Sequence, residues 1–596
     1  MRHCLLFCAP LLLALPLVAL SGDAPKPEPP KPVGSVGKSI ANFTLKDTAD
    51  KDWSLADCKD KKAVVVIFVG TECTITNAYM PRLGELYKTY ADKGVAFIAI
   101  NANNQDTVAK IAGHAKEYKL PFPVLKDNAN VVADKFGATR TPETFVLDAK
   151  GKIVYQGRVD DQFGIGFKRS GPTRNDLADA VETTLAGNEV AVPKTETAGC
   201  FIARVNKPKE SGTVTFTKQV SRILQNNCQE CHRAGQVGPM ALSTYEDALN
   251  WSETIEEVIK QKRMPPWHAD PAFGKFSNDR SLAGADREAL LAWVAQGCPK
   301  GDSKDMPAER EFAKGWIIGK PDVIFTMQED FKVPAKAGPN GVEYQYFMVP
   351  TNFDDDRWIQ AAEARPGARE VVHHIIVFVS EEKGKLGNTR NNRDGIGNGF
   401  LAPYAPGDMP AVFAPGSAKK LPKGANLIFQ MHYTPNGVEQ TDRSSVGLIF
   451  AKEPPKQEVR TRAATQQKFM LLPGESNHEV KSATKFDQEV DLLSLLPHMH
   501  LRGKDFVYKA VYPDGKEETL LSVPKYDFGW QSNYRLVKPL RLPPGTKIEC
   551  TAHFDNSSGN PNNPDPNKIV RWGDQTWDEM MIGFVDYAAV PKEEKK

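Results

Sequence analysis

The stretch AVVVIFVGTECT, residues 63–74, decides how the first part of the chain folds. It begins as a short run of β-branched and aromatic residues, which is typical of a strand buried on both faces, and the run ends at Gly70. Residues 77–93 follow with the apolar spacing of a helix, and residues 95–100 read as a second strand. Strand and helix patterns alternate in this way over residues 35–190, which predicts an α/β layer fold.

Three later patterns complete this first domain. Residues 106–118 have helical spacing, and residues 174–187 look like a closing helix. Two strand patterns, at residues 143–148 and 152–156, flank the turn Ala149-Lys150-Gly151 and predict a hairpin.

Cys73 follows the first strand and opens the helix, where the helix dipole and free N–H groups favour a thiolate. Thr141-Pro142 stands just before a later strand. Together these residues resemble the thioredoxin-like superfamily, particularly its redoxin branch, over residues 35–190. The resemblance implies a cis-Pro142 beside the Cys73 thiol, with Arg140 as a charge partner.

The sequence departs from that superfamily at the second cysteine of its C-x-x-C motif. Residues 73–76 read CTIT, so the motif has no resolving cysteine. The Pro and Thr that usually precede a peroxiredoxin's reactive cysteine are not matched either. Three alternatives remain: a one-cysteine thiol or peroxidase activity, an idle cysteine in a retained fold, and a structural Cys73–Cys58 disulfide.

The N-terminus predicts export. Residues 1–21, MRHCLLFCAPLLLALPLVALS, combine a basic start, an apolar run and small residues near the end, which is typical of a secretory signal peptide. A membrane anchor is the alternative, but prolines interrupt the short run. Residues 22–34 are a Pro-rich linker. No later stretch approaches the about 18 apolar residues that span a bilayer, so we expect a periplasmic or extracellular protein without stable membrane insertion.

Length and charge limit the functional classes. The chain has 596 residues, with 76 Lys and Arg against 74 Asp and Glu. This length predicts roughly four domains, and the balanced charge argues against nucleic acid as a partner. Nine cysteines become seven after removal of the signal. An odd number in an oxidising compartment leaves at least one cysteine free or bonded to something other than a protein sulfur.

The second region, residues 200–310, has three helical patterns, at residues 216–227, 245–262 and 286–296. It contains a complete C-x-x-C-H motif in Cys228, Cys231 and His232. Two such thiols can add to haem vinyl groups, and the adjacent imidazole can bind the iron axially. We therefore expect one covalently attached haem c in an all-α, cytochrome c-like domain. A zinc site or a disulfide is the alternative.

Met264 is the expected second axial ligand, because its segment RMPPWH, residues 263–268, resembles the distal ligand loop of c-type cytochromes. His268 is a rival ligand. Cys200 and Cys298 bracket the region, and we expect them as a candidate disulfide.

From about residue 320 the pattern changes to short apolar strands between Pro-, Gly- and Asn-rich turns. Such strands predict two β-sandwiches, at residues 320–460 and 461–590. Six of the ten histidines after the signal fall between residues 373 and 500.

The spacing of these histidines suits metal binding. His498 and His500 face the same side of a strand, whereas adjacent His373 and His374 can share an ion only at a bulge or strand end. His432 would complete a three-imidazole site. Imidazoles combined with a thioether favour copper.

Four segments carry a more specific resemblance: VHHI at 372–375, MHY at 431–433, HMHLRGK at 498–504 and DEM at 578–580. They resemble the copper type II, ascorbate-dependent monooxygenases, the peptidylglycine and dopamine hydroxylase family, in jelly-roll-like sandwiches. The resemblance implies an electron-transfer copper on His373, His374 and His432. It implies a second copper, where oxygen and substrate react, on His498, His500 and Met580, with one copper per sandwich across an open cleft.

Two departures accompany this resemblance. The family's copper domains are usually rich in disulfides, but Cys550 is the only cysteine after Cys298. His553 lies outside the matched segments, and its role stays open between an extra ligand and a structural residue.

The sequence thus predicts an exported copper-dependent monooxygenase that hydroxylates a small organic substrate with dioxygen. A one-electron donor, either an ascorbate-like reductant or a redox protein, would supply electrons through the haem to the first copper. One alternative is a thiol peroxidase or electron carrier without hydroxylase activity. The other is a copper-handling protein of the cell envelope.

Overall fold

The computed structural model describes residues 35–205, 207–338, 341–380 and 399–590. The predicted signal peptide and linker lie outside these residues. Within the described ranges, no helix is both long and apolar enough to cross a membrane.

A seven-stranded sheet of order β2-β1-β5-β4-β3-β7-β8 forms the centre of the first domain. β3, β4 and β5 run parallel, whereas β7 and β8 continue the sheet as an antiparallel hairpin. The α/β prediction is therefore confirmed. Strands β1 to β8 are Thr44–Asp47, Asp52–Ser54, Ala63–Phe68, Val95–Asn101, Val124–Lys126, Arg140–Thr141, Glu143–Asp148 and Ile153–Gly157.

Both faces of this sheet are covered, because β3 alternates its buried side chains between them. Val65 and Ile67 pack with Leu83 on one face, and Val64 and Val66 belong to the core of the other. Helices α1 to α4 are Thr74–Tyr90, Val108–Glu117, Val131–Phe136 and Asp176–Leu185.

The first helix begins earlier than its apolar spacing indicates, because Cys73 is the N-cap of α1. The short helix α3 escaped the sequence analysis. Two single-turn 3₁₀ helices, Leu55–Cys58 and Ala91–Lys93, complete the domain's helical segments.

Two small strand pairs lie beside the main sheet. Phe163–Gly164 (β9) and Phe167–Lys168 (β10) form a short hairpin after β8. Cys200–Phe201 (β11) comes from beyond the domain and pairs antiparallel with β6.

Helices then replace strands, and the described residues from 213 to 300 contain no named strand. A π-helical turn at Phe216–Val220 runs into α5, and a predicted single helix at 245–262 is divided at buried Trp251. Trp251 packs in one core with Leu224 and Trp293. Helices α5 to α8 are Ser221–Asn227, Tyr245–Asn250, Ser252–Lys260 and Gly284–Ala295, followed by the 3₁₀ turn Ser303–Asp305.

All-β structure fills the rest of the described chain. Strands β12 to β22 are Val323–Thr326, Phe331–Val333, Gln345–Pro350, Arg357–Arg365, Val372–Ser380, Phe400–Tyr404, Ala411–Val412, Ser417–Leu421, Asn426–Tyr433, Gln440–Asp442 and Ser445–Phe450. Strands β23 to β32 are Gln457–Thr465, Met470–Leu471, His478–Lys485, Val490–His498, Gly503–Val511, Glu517–Val523, Tyr534–Leu542, Lys547–Phe554, Val570–Arg571 and Ile582–Ala589.

Three larger sheets organise these strands. A nine-stranded sheet of order β12-β22-β15-β19-β23-β32-β26-β29, with β18 beside β15, runs through both halves of the region. A four-stranded sheet, β14-β20-β16-β17, belongs to the first half, and β25-β30-β27-β28 belongs to the second. β32 of the long sheet is almost entirely buried, whereas β23 is buried at only some of its positions.

The two halves share the long sheet. β23 pairs parallel with β19 of the first half and antiparallel with β32 of the second. The predicted boundary between residues 460 and 461 falls inside β23. Buried Lys419 on β19 strengthens this junction, because its ammonium group lies 3.2 Å from Asp586 on β32 and donates to the Thr461 hydroxyl at 2.8 Å.

Lys419→Met is expected to destabilise the all-β region by roughly 3–5 kcal/mol, since it leaves the Asp586 carboxylate buried without its cation. The adjacent Lys420→Met is the control, because Lys420 pairs with Asp356 at the surface and an exposed pair contributes little. Urea denaturation measures both. Equal midpoints for the two variants would contradict the assigned role of Lys419.

Candidate functional site

Three histidines meet where β16 lies beside β20. His374 and His432 are cross-strand partners, and the register shifts by one residue between Val372 and His374. This bulge brings the adjacent His373 to the same side, as the sequence requires for a shared ion. One ligand atom from each of the three rings lies within 4.8 Å of the others.

Burial keeps these three imidazoles neutral. It lowers the pKa of His373 to about 4, with a further contribution from the Lys168 ammonium, and it lowers the pKa of His374 and His432 well below the usual value. Nδ1 of His373 lies 3.2 Å from Nδ1 of both neighbours. Nε2 of His374 is buried and finds no hydrogen-bond partner in the described ranges. Converging, unprotonated ring nitrogens of this kind fit a transition-metal ion.

A second pair, His498 and His500, stands at the end of β26. Nδ1 of His498 lies 2.6 Å from the Gln531 side-chain oxygen, and Nδ1 of His500 lies 3.2 Å from the Asp578 carbonyl oxygen. Because these oxygens accept the Nδ1 protons, both Nε2 atoms keep a lone pair. Nε2 of His500 has no partner within the described part of the chain. Burial lowers the pKa of His498 to about 4 and that of His500 to about 3.

Met580 lies on the side of these histidines. β26 and β32 are antiparallel, with His498 opposite Ile582, and extending that register by two residues puts Met580 opposite His500. Met581 points the other way, since its sulfur accepts a hydrogen bond from Ser482 at 3.2 Å and it packs in the sandwich core. The geometry therefore favours Met580 over Met581 as the thioether beside His500.

The Glu579 carboxylate holds the backbone beside the second histidine set. One carboxylate oxygen accepts the N–H of His500 at 2.9 Å, and the other accepts the N–H of Arg502 at 2.6 Å. Burial raises the pKa of Glu579 to about 7, against the stabilising charge of Arg502. One buried carboxylate thus fixes the loop after β26 to the segment that carries Met580.

Aromatic rings occupy the space between the two histidine sets. The Tyr344 ring centre lies 4.9 Å from that of His432 and 6.4 Å from that of His500. The Phe528 ring stacks on His373 at 5.0 Å and lies 6.0 Å from His500. The expected open cleft between the two sets is therefore wrong in this respect, because both sets contact the same two rings.

A chamber of about 600 Å³ opens beside the first set, lined by His373 and His432. The β9–β10 hairpin of the first domain forms its opposite wall with Phe167 and Lys168. Lys168 donates to the Pro435 carbonyl at 3.3 Å. Its side chain stays accessible to water inside the chamber, although the surrounding protein lowers its pKa.

The C-x-x-C-H segment continues from α5 as a helical turn. The N–H of His232 donates to the Cys228 carbonyl at 2.9 Å, as in a helical turn. Nδ1 of His232 lies 3.2 Å from the Met240 carbonyl oxygen, so Nε2 keeps its lone pair for a metal. A side chain at Gly238 would come within 2.6 Å of that ring. The donor set and its tautomer fit covalent haem.

The expected second ligand of the haem, Met264, lies in a half-buried loop that follows α7. Its rival His268 has a buried Nδ1 with no partner among the described residues. Next to His268, Trp267 packs against Tyr534 of β29 at 4.9 Å between ring centres. This loop therefore docks the helical region onto the second sandwich.

The C-x-x-C-H segment also touches the first sandwich. A side chain at Gly407, in the loop after β17, would lie 3.8 Å from the Cys231 sulfur. Arg369 donates to Gln236 at 3.2 Å across the same contact. β17 pairs directly with β16, the strand that carries His373 and His374.

Cys73 is almost completely buried at the start of α1, and its thiol donates to the Thr141 carbonyl at 2.9 Å. The Thr141–Pro142 peptide is cis, as the resemblance implied. Burial disfavours the thiolate, but the polar groups of Cys200, Thr76 and Thr141 close to the sulfur outweigh it and lower the pKa of Cys73 to about 5.

Neither expected disulfide is present among the described cysteines, all of which are free thiols. Cys200 lies beside Cys73 and not beside Cys298. Cys58 packs in the core on one face of the sheet. Arg140 donates to Glu257 of α7 at 2.7 Å, so its partner is a carboxylate of the helical region.

His553 has a structural partner. Its Nδ1 lies 2.7 Å from an Asp505 carboxylate oxygen on the neighbouring strand β27. It therefore does not belong to either histidine set.

Several features of these sites were missed from the sequence: Tyr344, Phe528, Gln531, the supporting role of Glu579 and the β9–β10 hairpin. Cys200 was considered, but with Cys298 as its partner in place of Cys73. Only Glu579 carried a signal, because it stands inside the DEM segment. The others come from distant parts of the chain and are recognised only by their contacts.

Comparisons with known proteins cover the first domain. Residues 36–156 match the AhpC/TSA family. The thiol-disulfide oxidoreductase ResA of Bacillus anthracis is 36% identical over 121 residues, which is 20% of this chain and 68% of that protein. The thioredoxin-like protein YneN of Bacillus subtilis (strain 168) is 36% identical over 118 residues, with the same coverage of both chains.

Among solved structures, a hypothetical protein from Sinorhizobium meliloti 1021 is 31% identical. The match covers 29% of this chain and 96% of that one, with a TM-score of 0.27. The family match ends at residue 156, well before the first histidine set.

Glu579→Ala is expected to weaken Cu(I) binding at the His498/His500 set by about 10-fold to 100-fold, because it frees the backbone of His500 from its support. Glu579→Gln, which keeps one acceptor oxygen, should fall between the wild type and the alanine variant. Competition with a Cu(I) chelator measures the affinity. Equal affinity in all three proteins would show that Glu579 does not position the site.

Proposed function

Because the chain belongs to the AhpC/TSA family through residues 36–156, we propose that it is an exported oxidoreductase joining this redoxin domain to copper- and haem-dependent oxygenation. The thiol-disulfide oxidoreduction for which its relative ResA is named supports a redox role for the first domain. The observation that carries the oxygenase proposal is that neutral imidazoles of both histidine sets contact the same two aromatic rings, those of Tyr344 and Phe528.

Two copper ions are the proposed metals. His373, His374 and His432 would hold one, and His498, His500 and Met580 would hold the other. Copper at such sites supplies one-electron transfer and reaction with dioxygen. The residues around them orient the ligands, since Gln531 and the Asp578 carbonyl hold the Nδ1 protons of the second set.

A covalent haem c on Cys228, Cys231 and His232 is the proposed entry point for single electrons. Met264, or His268 in its place, is the proposed axial partner. The contact of the Cys231 segment with the β17 loop supports this assignment, because β17 lies next to the strand of His373 and His374. The proposed donor is an ascorbate-like reductant or a redox protein.

The chamber beside His373 is the proposed entrance for a small organic substrate. Its walls carry Phe167, Trp530 and Trp577, which suit an apolar or aromatic molecule. Periplasmic or extracellular localisation remains part of the proposal.

A second candidate function is thiol peroxidase or antioxidant activity without hydroxylation. The low pKa of Cys73 favours it, since a thiolate is the reactive form of cysteine. Copper handling in the cell envelope is a third candidate function. It requires that the protein bind copper without catalysing any reaction.

The purified protein is expected to contain two copper ions and one haem per chain. His432→Ala should lose one copper and abolish oxygen-dependent product formation while the haem absorbance is kept. His478→Ala is the matched control, because His478 bonds Glu475 at 2.8 Å away from either set. Metal analysis and a haem assay test this. A wild type with one copper or none would contradict the two-centre proposal.

Cys73 should titrate at about pH 5, well below the ordinary 9.0 of a thiol. Its thiolate is present above that pH and is lost as the pH falls through it. Ultraviolet absorbance of the thiolate, taken as the difference between the wild type and Cys73→Ser, measures the transition. A midpoint near 9 would remove the support for thiol catalysis.

A further inference from the structure

The first domain lacks its own second cysteine, and another part of the chain brings one to the same place. Thr76 stands where the second cysteine of a C-x-x-C motif would be, and it is buried. Cys200 lies far along the chain, beyond α4, on strand β11. Its thiol interacts directly with that of Cys73.

Backbone pairing fixes this approach. In the antiparallel pair of β6 and β11, Cys200 is the partner of Thr141, whose carbonyl accepts the Cys73 thiol proton. Gly199 makes the close contact tolerable, because a Cβ there would lie 1.9 Å from the Thr141 oxygen. Its φ of 149° also belongs to a region that side chains rarely adopt.

Side-chain contacts also hold residues 199–201 in place. The Arg140 guanidinium lies 3.9 Å from the centre of the Phe201 ring and donates to the Gly199 carbonyl at 2.7 Å. The N–H of Phe201 donates to the Thr254 hydroxyl of α7 at 3.4 Å. Cys200 is therefore held between the first domain and the helical region, and its position beside Cys73 is built into the fold.

We propose that Cys73 and Cys200 form a two-cysteine redox centre in which Cys73 is the nucleophile and Cys200 the resolving cysteine. This inference rests on the thiol-based second candidate function and is independent of the copper sites. The asymmetry of the pair agrees with these roles, since the interaction with Cys73 and burial raise the pKa of Cys200 while that of Cys73 is lowered.

A small hydroperoxide is the proposed oxidant, because Cys73 is only 1% exposed and a protein disulfide has no access to it. The Cys73 thiolate attacks a peroxide oxygen, so that an S–O bond forms, the O–O bond breaks and the leaving oxygen takes a proton. The Cys200 thiol then attacks the Cys73 sulfur. An S–S bond forms, and the hydroxyl group leaves as water with the Cys200 proton. A dithiol reductant returns both thiols.

The test uses the full-length metal-loaded protein and hydrogen peroxide. Reduced wild type, treated with one equivalent of peroxide, should yield a Cys73–Cys200 linked peptide in non-reducing mass spectrometry. Cys200→Ser should lose this peptide and accumulate Cys73 sulfenic acid, which dimedone labels. Cys298→Ser is the matched control and should keep the linked peptide. Peroxide consumption by Cys73→Ser gives the contribution of the metals, which is subtracted from the wild-type value.

Three results would overturn the proposal. One is a wild type whose Cys73 links to Cys58, and another is a wild type in which no link forms. The third is equal dimedone labelling in the wild type and Cys200→Ser. Circular dichroism on the same samples shows that each variant is folded, and their copper and haem content is measured alongside. This content separates a failure of this inference from a failure of the copper proposal.

Discussion

Desolvation of five imidazole rings is the constraint on which the C-terminal half of the protein depends. Unprotonated ring nitrogens in a buried place lose hydrogen bonds to water, and the protein must compensate with partners or an ion. For the second set, the compensation is visible in Gln531 and the Asp578 carbonyl, which take the Nδ1 protons. Nε2 of His374 and of His500 has no such partner among the described residues. At the second set, Nε2 of His500 marks where an ion would offset the cost of burial. At the first set the converging atoms are the Nδ1 atoms, since Nδ1 of His373 lies 3.2 Å from those of both neighbours.

The same constraint explains the scaffold around the rings. A bulge in β16 is needed to turn His373 towards His374, and a buried carboxylate at Glu579 is needed to hold the end of β26. Tyr344 and Phe528 fill the space that would otherwise admit water between the sets. Alone, the bulge, the buried carboxylate and the two rings would each add little or no stability. Together they hold the ligand atoms in place before any metal binds.

In the first domain, the feature that depends on surrounding contacts is the Cys73 thiol. A cysteine at a helix start is activated by hydrogen bonds and lies beside a second thiol from outside the domain. Arg140 packs on the Phe201 ring and donates to Glu257 of α7, so the position of Cys200 beside Cys73 depends on the helical region that follows the domain.

Sequence patterns predicted the parts of this structure that local periodicity controls. The buried run at β3, the hairpin of β7 and β8 and the helical start at Cys73 are all local features, and all are present. The histidine segments likewise indicated which residues converge, and the bulge at His373 follows from two adjacent ligands. Contacts between distant parts of the chain could not be predicted from the sequence. Nothing in the residues near Cys200 shows that it pairs with Thr141, and nothing in β23 shows that it joins two sheets.

The shared strand β23 has a mechanical consequence. His498 ends a strand of the long sheet, and the first histidine set lies in the sheet of the other half. Moving the two sets apart by a hinge would break the pairing of β19 with β23 and strip Lys419 of its acceptors. The shared sheet therefore opposes a hinge motion between the two halves of the all-β region. The wall of the chamber beside His373 and His432 includes the β9–β10 hairpin, which belongs to the first domain and not to the shared sheet.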